Sequence, residues 1–115
     1  MIPIAQDMAK ELKTDENFIL GLSAYESGWL NQHNRDLHNP FGITNAGGNN
    51  LNFPSFQAAA DFWTKQWGQY VTNVKDMKTF AQRLQPHYNS VNKSWTTTVQ
   101  SVEKSVVAWR KVCDK

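Results

Sequence analysis

A single cysteine, Cys113, is all the sequence of 115 residues contains, so no disulfide can form within the chain and stability has to come from a packed core. No apolar run approaches the length of a membrane span, which argues against membrane insertion. The opening stretch MIPIAQDMAKELKTDENF lacks the layout of a secretory signal, so a target outside the cell would require delivery by lysis, by a secretion system or as part of a larger protein. Charge of one sign is missing as well. Twelve basic and ten acidic side chains give +2, and no dense Lys/Arg segment points to a nucleic-acid partner. Repeats and low-complexity linkers are absent. One absence is local: no Asp or Glu occurs between Asp36 and Asp61. Aromatics, by contrast, are plentiful. Five Trp and six Phe exclude a disordered chain and, at this length, imply one domain over 1–115 with one core.

The expected fold class is mainly α. Ile4, Met8 and Leu12 share a face of a helix over 3–13, with Pro3 in its first turn. A second helix over 15–27 takes Thr14 as N-cap, Asp15 and Glu16 in the first turn, and Gly28 as the residue past its end. Asn, Gly and Pro crowd residues 29–54, which leaves an irregular lobe with room for a two-stranded hairpin around Gly47-Gly48. A third helix follows Ser55 to about residue 73, carrying Phe56, Ala59, Phe62 or Trp63, Trp67, Tyr70 and Val74. A fourth, around Met77, Phe80, Ala81 and Leu84, is expected to stop before Pro86. The last covers 95–112, with Trp95, Val99, Val102, Val106 and Trp109 forming a core-facing seam. From Lys75 to Lys115 eight basic residues face three acids, a solvated helix face or a surface for an anionic partner such as a bacterial wall.

The second helix carries the residue of most chemical interest. Ile19, Leu22 and Glu26 fall at i, i+3 and i+7, so the face that must pack inward takes Glu26 with it. Apolar neighbours disfavour its charged form, the helix C-terminus presents partial negative charge, and no Lys or Arg lies within a turn along the chain. All three favour a carboxyl that stays protonated, which is the state a general acid requires. The plain alternative is an acid at the helix rim that reaches water.

Three segments follow in order: Glu26-Ser27-Gly28-Trp29, then Asn39-Pro40-Phe41-Gly42-Ile43, then Phe53-Pro54-Ser55-Phe56 opening a helix. Together they resemble the bacterial glucosaminidases of glycoside hydrolase family 73, the flagellar peptidoglycan hydrolases and wall autolysins of the lysozyme-like superfamily. A later stretch, PHYNSVNKSWTTTV, is similar to the family's segment around a tyrosine near the active site and maps onto Tyr88. The resemblance covers roughly residues 15–110 and implies a lysozyme-like helical domain with a small irregular or two-stranded β-lobe. It makes Glu26 the general acid, brings Tyr88 to the scissile bond, and sets Phe41 and Gly42 on the cleft floor. Asn39 is then available to an acetamido group, with Phe56, Trp29 and His87 as further substrate-binding candidates. Trp63 and Trp67 read better as core, and Trp29, beside the acid in sequence, as the better candidate for a cleft wall.

The acid-poor stretch departs from the family, whose members often supply a second carboxylate there. Asp36 and Asp61 are the candidates, one in an unpatterned loop and one on the third helix. Without either, the substrate's own N-acetyl group can serve as nucleophile, or a muramic acid hydroxyl can replace water in a lytic transglycosylation. The expected activity is hydrolysis of the peptidoglycan glycan strand by an endo-β-N-acetylglucosaminidase. A lytic transglycosylase or muramidase on the same fold is the alternative, and a catalytically degraded wall-binding module is the alternative from another class. No metal or cofactor is expected, since His33 and His38 flank Asp36 without a known zinc spacing. The protein is expected to act as a monomer in the periplasm or cell wall; as an injected toxin it would meet a cognate immunity protein.

Overall fold

The centre of the molecule is the helix least amphipathic in sequence. In the computed structural model, which describes residues 1–88 and 94–113, six helices succeed one another. They are α1 (Ile2–Leu12), α2 (Glu16–Glu26), α3 (Gln32–Asp36), α4 (Phe56–Val71), α5 (Met77–Tyr88) and α6 (Trp95–Cys113). Every residue of α2 from Phe18 to Ala24 is buried, which is how a helix apolar on all sides satisfies itself. It packs most extensively against α6 and next against α1; α5 packs in turn on α6 and α4, and α4 on α1.

Both ends of α2 are fixed. The N-cap is Asp15, one residue later than expected, and its carboxylate accepts the Asn17 N–H at 2.8 Å. Thr14 is committed elsewhere: its hydroxyl donates to the Val74 carbonyl at 2.6 Å and ties this corner to the approach of α5. At the other end Gly28 takes φ +60°, and the Trp29 N–H reaches back to the Ala24 carbonyl at 2.7 Å. That six-to-one bond is the Schellman closure, and it stops the helix just past Glu26.

Gly21 sets how close α2 and α6 come. A Cβ there would lie 2.7 Å from Glu103 Cβ and 2.8 Å from Glu103 Cα on α6. Gly21→Ala adds helix propensity of up to about 1 kcal/mol but forces two backbones apart, which costs about 1–3 kcal/mol. The second effect wins, so we expect a lower urea midpoint at an unchanged slope.

The irregular lobe is smaller in strand and richer in helix than expected. The hairpin reduces to one antiparallel bridge, Thr44 with Asn50. The five-residue α3 is too short to show a periodicity; its start is set by Asn31, whose side chain accepts the Asn34 N–H at 3.0 Å. α5 also differs, running through Pro86 to Tyr88 instead of stopping before the proline. Tertiary contacts outweigh the lost helix bond: His87 stacks on Tyr70, and Tyr88 is wedged among Trp63, Trp67 and Trp95.

Candidate active site

Glu26 is the last residue of α2, and the Asn-rich lobe is built around its end. Among the described residues the buried polar ones are Ser23, Ser27, Asn34 and Asn39, and all four belong to this lobe or its seat on α2. The Ser23 hydroxyl donates to the Pro40 carbonyl at 2.6 Å, and Asn34 Nδ2 donates to the Ser27 carbonyl at 3.2 Å. Asn50 Nδ2 in turn donates to Asn34 Oδ1 at 2.9 Å. These amides replace the ladder that a strand pair would have supplied.

Asn39 is the keystone of that frame. It is fully buried; its Nδ2 donates to the carbonyls of Ile43 (2.8 Å) and Leu51 (3.0 Å), and its Oδ1 accepts the Ile43 N–H (2.9 Å). Its amide is therefore spent on the protein and does not face an acetamido group, contrary to the sequence expectation. Only an amide has both a donor pair and an acceptor here. Asn39→Asp loses both donors and buries a charge, and we expect it to cost on the order of 3 kcal/mol in chemical denaturation.

The loop so held delivers Gly42 to the acid. Gly42 has φ +59°, and a Cβ there would sit 2.3 Å from the Glu26 carbonyl oxygen. Glu26, Gly42, Ile43, Thr44, Trp67, His87 and Tyr88 line a cleft of about 330 Å³. Among the described residues Glu26 is the one carboxylate in that lining. Burial pushes its pKa up, against a smaller downward pull from the Trp95 indole N–H, which donates to Oε1 at 2.8 Å. The Tyr88 phenol is raised well above its ordinary value, by burial first and by the Glu26 charge second. Its oxygen accepts from Trp63 Nε1 at 2.6 Å, so the phenol's own proton is not used in that bond. The lining therefore combines a carboxyl whose neutral form burial favours, a phenol and an aromatic wall.

This architecture is shared with a solved structure. The chain is similar to a chain in the structure of a type VI secretion system effector–immunity complex from Pseudomonas protegens, with a TM-score of 0.81 and 25% identity over 93% of this chain and 86% of that one. No family model and no curated protein matches the sequence.

The other sequence candidates divide. Gly42, His87 and Tyr88 line the cleft with Glu26; His87 stacks face to face on Tyr70 at 3.8 Å and 9°. Phe41 is fully buried and stacks on Trp63 at 5.6 Å, so it supports the floor from beneath without touching the cleft. Phe56 lies on α4 edge-on to His38, and His38 Nδ1 is 3.0 Å from the Phe53 carbonyl; neither lines the cleft. Asp36 and Asp61 are exposed and take hydrogen bonds from Gln32 and Gln57 on their own helices. Neither reaches the lining as a second carboxylate.

The tryptophans exchange places. Trp67, read as core, is half-buried and forms the cleft wall, while Trp29, read as the wall, is 55% exposed and borders a different groove with Trp109, Leu20 and Met1. The cause is the turn after α2. Gly28, Trp29 and Leu30 all adopt left-handed backbone, with φ 60°, 58° and 57°, and swing Trp29 away from the acid. Trp109, expected in the α6 seam, is likewise 55% exposed, so the seam leaves the core after Val106. Trp95 was hidden by the same seam: its ring is fully buried, and only its indole N–H serves the site. Residues 89–93 of the tyrosine segment lie outside the described residues.

Proposed function

We propose that the protein cleaves the peptidoglycan glycan strand as an endo-β-N-acetylglucosaminidase, with Glu26 as general acid. The observation that carries this reading is one acid, its neutral form favoured by burial, in an aromatic-walled cleft with no second carboxylate among the described residues of its lining. Such a cleft suits a substrate that brings its own nucleophile. Glu26 gives its proton to the glycosidic oxygen, and the bond from the anomeric carbon breaks with its electron pair left on that oxygen. The carbonyl oxygen of the neighbouring acetamido group closes on the anomeric carbon. Water then attacks that carbon, the ring opens with its electron pair returned to the acetamido oxygen, and the water's proton goes to the Glu26 carboxylate. Tyr88 donates to the substrate from the α5 side, and Trp67 offers a face for a pyranose ring.

The one-acid lining equally fits a lytic transglycosylase, in which a muramic acid hydroxyl takes the place of water. Similarity to a type VI effector–immunity complex supports an effector role and a cognate immunity partner; delivery into the periplasm is part of the proposal. The test is mass spectrometry of fragments released from purified peptidoglycan. Reducing N-acetylglucosamine ends identify the glucosaminidase, reducing muramic ends a muramidase, and anhydro-muramic ends the transglycosylase. Wall binding without any release leaves a binding module and removes the enzyme reading.

A further inference from the structure

We propose that Trp95 is a positioning residue for the general acid: its indole N–H, held on Glu26 Oε1, assigns the transferable proton to Oε2. The inference deepens the glycosidase reading and rests on it. An indole nitrogen can only donate, so the oxygen it meets must present a lone pair. With Trp95 Nε1 at 2.8 Å from Oε1, the indole takes the carbonyl oxygen of the neutral acid, which is a better acceptor than its hydroxyl, and the proton sits on the other oxygen.

The indole is not free to choose otherwise. Trp95 opens α6, is fully buried, and stacks on Tyr88 with ring centres 5.7 Å apart and 29° between planes. Tyr88 is itself fixed by the bond from Trp63 and by packing on Trp67 at 5.0 Å. α2 supplies the acid and α6 the donor, and these two helices meet closely at Gly21. One rigid contact thus sets both the orientation of the carboxyl and its distance from the aromatic wall.

The contact also strengthens as the reaction proceeds. Before transfer the N–H faces a neutral carbonyl oxygen. Once the Oε2 proton has moved to the glycosidic oxygen, the same N–H faces a carboxylate, and a charge-assisted hydrogen bond is stronger. An interaction that grows toward the transition state raises kcat and leaves ground-state binding alone.

Trp95→Phe keeps an aromatic ring in the stack and removes the donor. We expect kcat to fall about 10- to 100-fold, the worth of one hydrogen bond to a charged acceptor, with KM within about twofold. The basic limb of the pH profile should move to higher pH, because the carboxylate loses a stabilising donor. A residue that only supported the fold would lower the active fraction without moving that limb.

A second measurement needs no activity. In wild-type protein the Trp95 indole 15N–1H resonance, assigned by its loss in Trp95→Phe, should follow a titration that disappears in Glu26→Gln. Among the described residues Tyr88 and His87, both on α5, are the other titratable groups lining the cleft, so the titration is repeated in His87→Gln to subtract the imidazole. An indole indifferent to Glu26, or a Trp95→Phe enzyme with wild-type rate and profile, overturns the proposal. A wild type that cuts nothing, yet whose indole tracks Glu26, upholds the hydrogen-bond assignment and overturns the glycosidase reading.

Discussion

Glu26→Gln should reduce peptidoglycan cleavage about 100- to 10,000-fold, the contribution of general acid catalysis, while making the folded protein more stable at neutral pH. The first half follows from chemistry: a glutamine has no proton to transfer. The second half follows from burial, which raises the Glu26 pKa above its ordinary value of 4.5 in the folded state. The native state then binds that proton more tightly than the unfolded chain does. Its contribution to stability is complete below the unfolded pKa and is lost as pH rises through the raised native one. Glutamine keeps a neutral group at every pH, and its carbonyl can still accept the Trp95 N–H. The variant should therefore melt above wild type at pH 7, with the gap closing as pH falls below the ordinary carboxylate range. Thermal unfolding across pH, alongside a turbidity assay, checks both halves. Undiminished clearing by the variant would sink the assignment of the acid, and a lower melting temperature at pH 7 would sink the account of its environment.

Opposed effects of this kind mark residues placed for chemistry at the expense of stability. They also explain which parts of the site were legible in the sequence. The placement of Glu26, half-buried at a helix end, was legible because two signals on one short segment agreed: a face shared with Ile19 and Leu22, which are both fully buried, and a glycine that ends the helix. The helices were legible for the same reason, since α1, α4 and α6 repeat apolar residues over three or more turns. Side-chain function was much less so. Periodicity says that a residue faces inward, and says nothing of what its polar edge meets there. Trp95 and Trp67 lie on inward stripes like any core tryptophan, yet one donates to the acid and the other walls the cleft. Asn39 was misjudged in the opposite sense. Its motif marks the site, but its amide is used to hold the loop. Trp29 was placed by adjacency to Glu26, and a left-handed turn of three residues undid that inference. Pro86 was given its usual weight as a helix breaker, when the stacking of His87 and Tyr88 carries the helix past it.

Gly42→Ala should be the most damaging single-methyl change in the cleft, costing on the order of 3 kcal/mol or more, because strain and overpacking add. The backbone at Gly42 has φ +59°, a conformation that costs an L-residue about 1–2 kcal/mol. The added Cβ would also lie 2.3 Å from the Glu26 carbonyl oxygen and 3.1 Å from its carbonyl carbon. Those atoms are backbone at the end of α2, so no rotamer change can relieve the contact. Either the loop from Asn39 to Ile43 retreats, breaking the amide bonds that hold it, or the last turn of α2 shifts and takes Glu26 away from Trp95. A displacement of about 1 Å at a proton donor lowers the rate roughly 100-fold, so activity should fall even in the fraction that folds. Gly48→Ala separates the two causes. Gly48 has φ +81°, but nothing lies within 4 Å of where its Cβ would be, so it bears the backbone strain alone. Urea denaturation of both variants, with activity normalised to the folded fraction, should show a loss of about 1–2 kcal/mol and near wild-type turnover for Gly48→Ala, against a larger loss and impaired turnover for Gly42→Ala. Equal losses and equal turnover in the two would mean that the close approach of Gly42 to the acid does not hold Glu26 in place.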